Sequence, residues 1–115
     1  MTTQAKDYLD LDDGLARIRG NKALYKQMLN LFLGSEEFQA FEDAIANHDN
    51  KMAEAKIHGI KGLSGNLSMP ALFETSSALN VQLKTGDAEP ATLAEYRAAY
   101  EETKKHVIEY ISSES

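Results

Sequence analysis

The stretch Lys51-Met52-Ala53-Glu54-Ala55-Lys56-Ile57-His58-Gly59-Ile60-Lys61-Gly62-Leu63-Ser64-Gly65-Asn66-Leu67 decides the fold. At about 100° per residue, Ala53, Ile57, Ile60, Ser64 and Leu67 fall on one side of a helix, the side that must be buried. Glu54, His58, Lys61, Gly62 and Gly65 fall on another, with His58 roughly 140° from the centre of the apolar stripe. The imidazole is therefore expected to face water, with Lys61 and Gly62 one turn further on.

The same three- and four-residue spacing runs outward in both directions, and no period-two strand pattern interrupts it. Upstream, a short helix is expected over Asp10–Arg19, with Leu11, Leu15 and Ile18 inward and Gly20 as its stop. Asn21 suits the cap of a second helix carrying Leu24, Met28, Leu31 and Phe32 and ending at Gly34. Ser35 suits the cap of a third, with Glu36 and Glu37 in the first turn, where the helix dipole favours acids. That helix turns Phe38, Phe41 and Ile45 inward, and Asn47-His48-Asp49-Asn50 reads as a loop. Downstream, Pro70 opens a helix with Leu72, Leu79 and Leu83 that stops at Thr85-Gly86. After the linker Asp87-Ala88-Glu89-Pro90, a last helix carries Leu93, Tyr96, Tyr100, Val107 and Ile111. The expected fold is all-α: an antiparallel four-helix bundle with a short extra N-terminal helix.

Composition bounds the function. The 115 residues suit a single domain, residues 1–115 with a core over about 10–112, large enough to bury a core without staples. The absence of cysteine leaves no disulfide framework or thiolate metal site, which suits a reducing compartment. No apolar run approaches the roughly 18 residues needed to span a bilayer, and the polar start Met1-Thr2-Thr3-Gln4 does not read as a signal peptide. A cytoplasmic location is expected, with no membrane insertion. The net charge is −6, and the twelve Lys and Arg are scattered rather than gathered in a stripe, which argues against nucleic acid.

Three glycines around His58 are the least expected feature of the site helix. Each Gly in a helix interior costs about 0.8–1 kcal/mol relative to Ala, so Gly59, Gly62 and Gly65 together cost about 2–3 kcal/mol. Close helix packing accounts for one of the three. It fits Gly62 and Gly65 poorly, because both lie beside the histidine on the outward face, where they would let a partner approach closely. A neutral imidazole nitrogen is a nucleophile near neutral pH, and Lys61 brings a mobile positive charge to the same face. Together they suit a histidine that receives and hands on a phosphoryl group, a transfer governed by positioning and electrostatics. Glu54 reads either as an orienter of the ring or as a solvated helix residue.

The pattern His58-x-x-Lys61-Gly62 on a helix, followed by a second amphipathic helix, resembles histidine-containing phosphotransfer (HPt) domains. The resemblance extends to Leu11-Asp12-Asp13-Gly14-Leu15-Ala16-Arg17-Ile18-Arg19-Gly20-Asn21, to Leu24-Tyr25 and Leu31-Phe32, and to Ala55-Lys56-Ile57-His58-Gly59-Ile60-Lys61-Gly62. It implies a phosphorelay intermediate in which His58 accepts a phosphoryl group from a receiver-domain aspartate and passes it to another receiver. It further implies Lys61 as the phosphate-neutralising partner, Gly62 as the opening for the receiver, and Asn80 as a hydrogen-bonding group on the next helix, with Gln82 a second candidate and a plain surface role the alternative. Ala55, Gly59, Gly62 and Gly65 would form the floor of the docking surface; Leu11 and Leu15 would border it or simply cap the bundle.

The implied partners are receiver domains of response regulators or hybrid sensor kinases. No cofactor, metal or ATP-dependent kinase activity of its own is implied, no Gly-rich phosphate loop is present, and nothing demands more than a monomer. Two positions depart from the family pattern. Gly59 stands where Thr, Ser, Lys or Arg is commoner, and Leu67-Ser68-Met69 stands where the family usually places a glycine after the apolar residue, so a differently shaped turn is expected there. The rival expectations are an HPt-like module that binds receivers or other signalling proteins without carrying phosphate, and a carboxylate-bridged metal bundle. For the latter, Glu54-x-x-x-His58 and His106-x-x-Glu109 have the wrong spacing and order.

Overall fold

A computed structural model describes residues 4–113. The first three residues of the polar start and the last two of the polar tail, at 114–115, lie outside them. After a 3₁₀ turn at Ala5–Asp7, the elements are α1 (Leu11–Arg17), α2 (Lys22–Leu33), α3 (Glu37–Ala46), α4 (Asn50–Asn66), α5 (Pro70–Thr85) and α6 (Pro90–Ser113). No strand occurs among the described residues. The helices surround one continuous core, and no described helix is long and apolar enough to cross a membrane.

Local chemistry sets the boundaries. Asp10, Asn21 and Asp49 each accept a hydrogen bond from a backbone N–H of the first turn that follows, at 3.0–3.1 Å. Pro70 and Pro90 occupy the first helical positions of α5 and α6. Two boundaries differ from expectation. The opening helix stops at Arg17, because Arg19 (φ 56°) and Gly20 (φ 75°) are both left-handed, and the Gly20 N–H closes the end on Leu15 O at 2.7 Å. Ser35 is not the N-cap of α3, which begins one residue later than expected with Glu36 in that role. The Ser35 hydroxyl still accepts from Glu37 N at 3.2 Å.

The core faces of α4 and α5 follow the apolar spacing. Ala53, Ile57, Ile60, Ser64 and Leu67 are fully buried, opposite Leu72 and Leu79. Ser64, the one polar group in the α4 stripe, donates its hydroxyl to Lys61 O in its own helix at 3.0 Å. On α2 the buried residues are Tyr25, Leu29 and Phe32, whereas Leu31 is 74% exposed and Leu24 39%. The rings decide this rotation of the helix. Phe32 packs edge-on against both Phe38 and Tyr100, and Tyr25 against Tyr110, so the aromatic side outcompetes the leucines for the interior. Helices α3 and α6 meet through the Phe38–Tyr100 stack, the Phe41–Tyr96 edge contact and the Arg97–Glu42 ion pair at 2.6 Å.

The far end of α4 is fastened from two sides. Tyr25 passes over Gly14 and donates its hydroxyl to Leu67 O at 2.8 Å. Burial, followed by the nearby Tyr110, Asp10 and Asp13, pushes that phenol well above its ordinary range, so it stays a donor. Ser68, the next residue, is left-handed at φ 59°. A serine thus holds the conformation that a glycine would adopt most easily. Its carbonyl accepts from Asp10 N at 2.9 Å and its hydroxyl donates to Asp13 Oδ2 at 2.6 Å. These bonds press α1 against the α4–α5 turn.

Candidate functional site

His58 is exposed on α4, with half-buried Lys61 one turn on and exposed Gly62 beside it. The ridge borders an open groove of about 550 Å³. Its floor holds His58, Lys61, Gly62 and Gly65; Asp10, Asp13 and Arg17 of the opening segment form one wall, and Pro70 and Phe73 of α5 the other. Among the described residues nothing hydrogen-bonds the imidazole or pairs with the Lys61 ammonium. The acids in the wall are occupied within the protein. Asp10 caps α1, and Asp13 accepts from Ser68 and from Arg17 Nε at 2.9 Å. The Ser68 hydrogen bond, aided by Arg17, holds the Asp13 carboxyl below its ordinary value. The floor therefore keeps an uncommitted cation and nucleophile side by side, while the neighbouring negative charge is satisfied.

The three glycines separate by what surrounds them. A Cβ at Gly62 would meet nothing within 4 Å, so this residue leaves open space beside His58. A Cβ at Gly59 would lie 3.4 Å from Glu37 Oε2, and that carboxylate pairs with Lys56 through its other oxygen at 3.3 Å. A side chain at 59 would thus rest at ordinary contact distance from the α3–α4 ion pair. A Cβ at Gly65 would lie 3.1 Å from Cδ1 and Cε1 of Phe73. Packing thus accounts for one of the three, Gly65, which was expected to lie open beside the histidine and instead carries an aromatic ring.

The other candidates divide in the same way. Leu11 and Leu15 are half-buried against the core. It is the charged side of α1 that lines the groove, a side announced in the sequence by the Asp13–Arg17 spacing of four. Ala55 and Gly59 are exposed on α4 but do not line the groove. Asn80 is buried on α5, where its amide lies 3.4 Å from Glu54 Oε1, one helical turn before His58. Gln82 bonds to Thr92 and to Glu89 N in the α5–α6 connection. His106 stacks on Tyr8 at 5.4 Å, and no group of three or more Asp, Glu or His side chains gathers as a metal set among the described residues.

No family model, curated protein or solved structure matches this chain.

Proposed function

We propose that this protein is a phosphoryl carrier of the HPt kind, with His58 as the acceptor. The observation that carries the reading is the position of His58: exposed on the outer face of a helix whose other face is fully buried, at a groove with Lys61 one turn away and open space at Gly62. In the transfer, one imidazole nitrogen forms a bond to phosphorus as the phosphorus–oxygen bond to a receiver aspartate breaks. The aspartate leaves as a carboxylate, and the proton on the other ring nitrogen passes to solvent. Lys61 offsets the charge that spreads over the three equatorial oxygens. The reverse reaction on a second receiver completes the relay, so the protein needs no nucleotide.

The fold reading that accompanies this is an antiparallel bundle of α3, α4, α5 and α6, preceded by two helices, α1 and α2, where one short N-terminal helix was expected. The three connections between those helices are short, as antiparallel neighbours require. The setting would be cytoplasmic, with the protein acting as a monomer between receivers.

Intact-mass analysis at neutral pH after exposure to phosphoramidate, followed by incubation with phosphorylated receivers, tests the reading. One acid-labile phosphoryl group is expected, absent from His58→Gln, whose helical circular dichroism stays that of the wild type. A wild type that accepts phosphate from neither source sinks the carrier reading. Receiver binding equal in wild type and His58→Gln, without exchange, would establish a binding module in its place.

A further inference from the structure

We infer that Phe73 is the apolar contact by which the groove selects its receiver, and that Gly65 serves to seat its ring; the inference rests on the carrier reading above. Phe73 is 39% exposed, while its neighbour Leu72 is buried in the core. The ring lies over α4 at Gly65, where a side chain would come within 3.1 Å of two ring carbons. Gly65 is the penultimate residue of α4, and it stands where any side chain would crowd the ring.

The backbone that presents the ring is held as well. Phe73 N donates to Met69 O at 2.9 Å, and Ser77 Oγ and Ser76 Oγ donate to Phe73 O at 2.7 and 3.2 Å. Pro70 fixes the first turn of α5 just before it. The ring is thus a positioned wall of the groove that holds His58.

The two sides of the groove ask different things of a partner. Lys61, without an ion pair among the described residues, offers a cation to an incoming phosphoryl group. The opposite wall spends its acids on Ser68 and Arg17. Phe73 offers apolar surface in the same groove as that cation. The fitting partner is a receiver that carries an apolar side chain beside its phosphorylated aspartate. A receiver with a charged side chain there would have to strip its water against the ring, which is discrimination by an unfavourable contact.

Phosphoryl exchange should be measured over a range of phosphorylated-receiver concentrations for the wild type, Phe73→Ala, Phe73→Leu, Gly65→Ala and the Gly65→Ala/Phe73→Ala pair. Phe73→Ala is expected to raise the apparent KM for the preferred receiver by about tenfold or more, as loss of an aromatic anchor does. The maximal rate and phosphoramidate labelling of His58 should not change. Phe73→Leu should keep most of the affinity. Gly65→Ala should raise KM by displacing the ring, and should add nothing once the ring is gone. An unchanged KM in Phe73→Ala overturns the proposal while the carrier reading stands. Loss of phosphoramidate labelling in Phe73→Ala also overturns it, by making the ring a support of His58. A wild type that neither labels nor exchanges removes the carrier reading and the proposal together.

Discussion

Ser68 Oγ and Asp13 Oδ2 lie 2.6 Å apart across 55 residues of sequence, and their hydrogen bond joins the turn after the histidine helix to the helix that walls the groove. The serine makes that bond from a left-handed backbone, which for a residue with a Cβ costs about 1–2 kcal/mol. Two substitutions separate the side chain from the backbone. Ser68→Ala and Ser68→Gly both lose the hydrogen bond, but only glycine is relieved of the strain. Urea denaturation is expected to rank Ser68→Gly above Ser68→Ala by about 1 kcal/mol or more. Equal stabilities would mean that the turn relaxes out of the left-handed region in the alanine variant.

The partner of that bond gives a pH dependence. The Asp13 carboxyl is held below its ordinary 3.8, first by Ser68 and then by Arg17. A carboxyl depressed on folding contributes stability that is complete above its unfolded pKa and is lost as pH falls through the folded one. The stability difference between the wild type and Asp13→Asn should therefore be largest near neutrality. It should close as the solution is acidified through and below the ordinary carboxylate range. A difference that stays constant across that range would show that Asp13 acts by shape and not by charge.

The helices and the facing of His58 were legible because they depend on local period: the α4 stripe predicted from Ala53, Ile57, Ile60, Ser64 and Leu67 is buried at every position. The rotation of α2 was not legible from leucine spacing, since Tyr25 and Phe32 claim the interior through rings on other helices. The same holds at the groove. Tyr25 to Leu67, Ser68 to Asp13 and the seat of Phe73 on Gly65 join different elements, and a helical wheel drawn for one helix shows none of them. One signal was present: a serine in the turn where the HPt resemblance expects glycine, adopting glycine's backbone and using its hydroxyl to hold it.

Gly14 is a second consequence of long-range packing. A Cβ there would fall 2.5 Å from the hydroxyl oxygen of Tyr25 and 2.6 Å from Cζ, and that ring is buried and hydrogen-bonded to Leu67. Alanine would add about 1 kcal/mol of helix propensity, yet overpacking of this kind costs about 1–3 kcal/mol. Gly14→Ala is expected to be net destabilising in urea denaturation. Amide exchange should rise first in α1 and at the end of α4, which the tyrosine fastens. A variant as stable as the wild type would mean that the ring slides aside without losing Leu67.

Gly62 reverses the logic, and so separates folding from docking. It sits inside α4 with open space where a side chain would grow, so Gly62→Ala should raise stability by about 0.8–1 kcal/mol through helix propensity alone. Gly62→Leu should likewise fold at least as well as the wild type, because its side chain projects into the groove and not into the core. If His58 meets its receiver through this opening, the leucine stands where the partner must come. Receiver exchange should then fall by at least about tenfold, roughly 1.4 kcal/mol, while phosphoramidate, a much smaller donor, still reaches the ring. Thermal denaturation, exchange with a phosphorylated receiver and intact mass after phosphoramidate measure the three effects on the same preparation. Undiminished exchange in a well-folded Gly62→Leu would mean that partners reach His58 from another side, leaving the glycine without a part in docking.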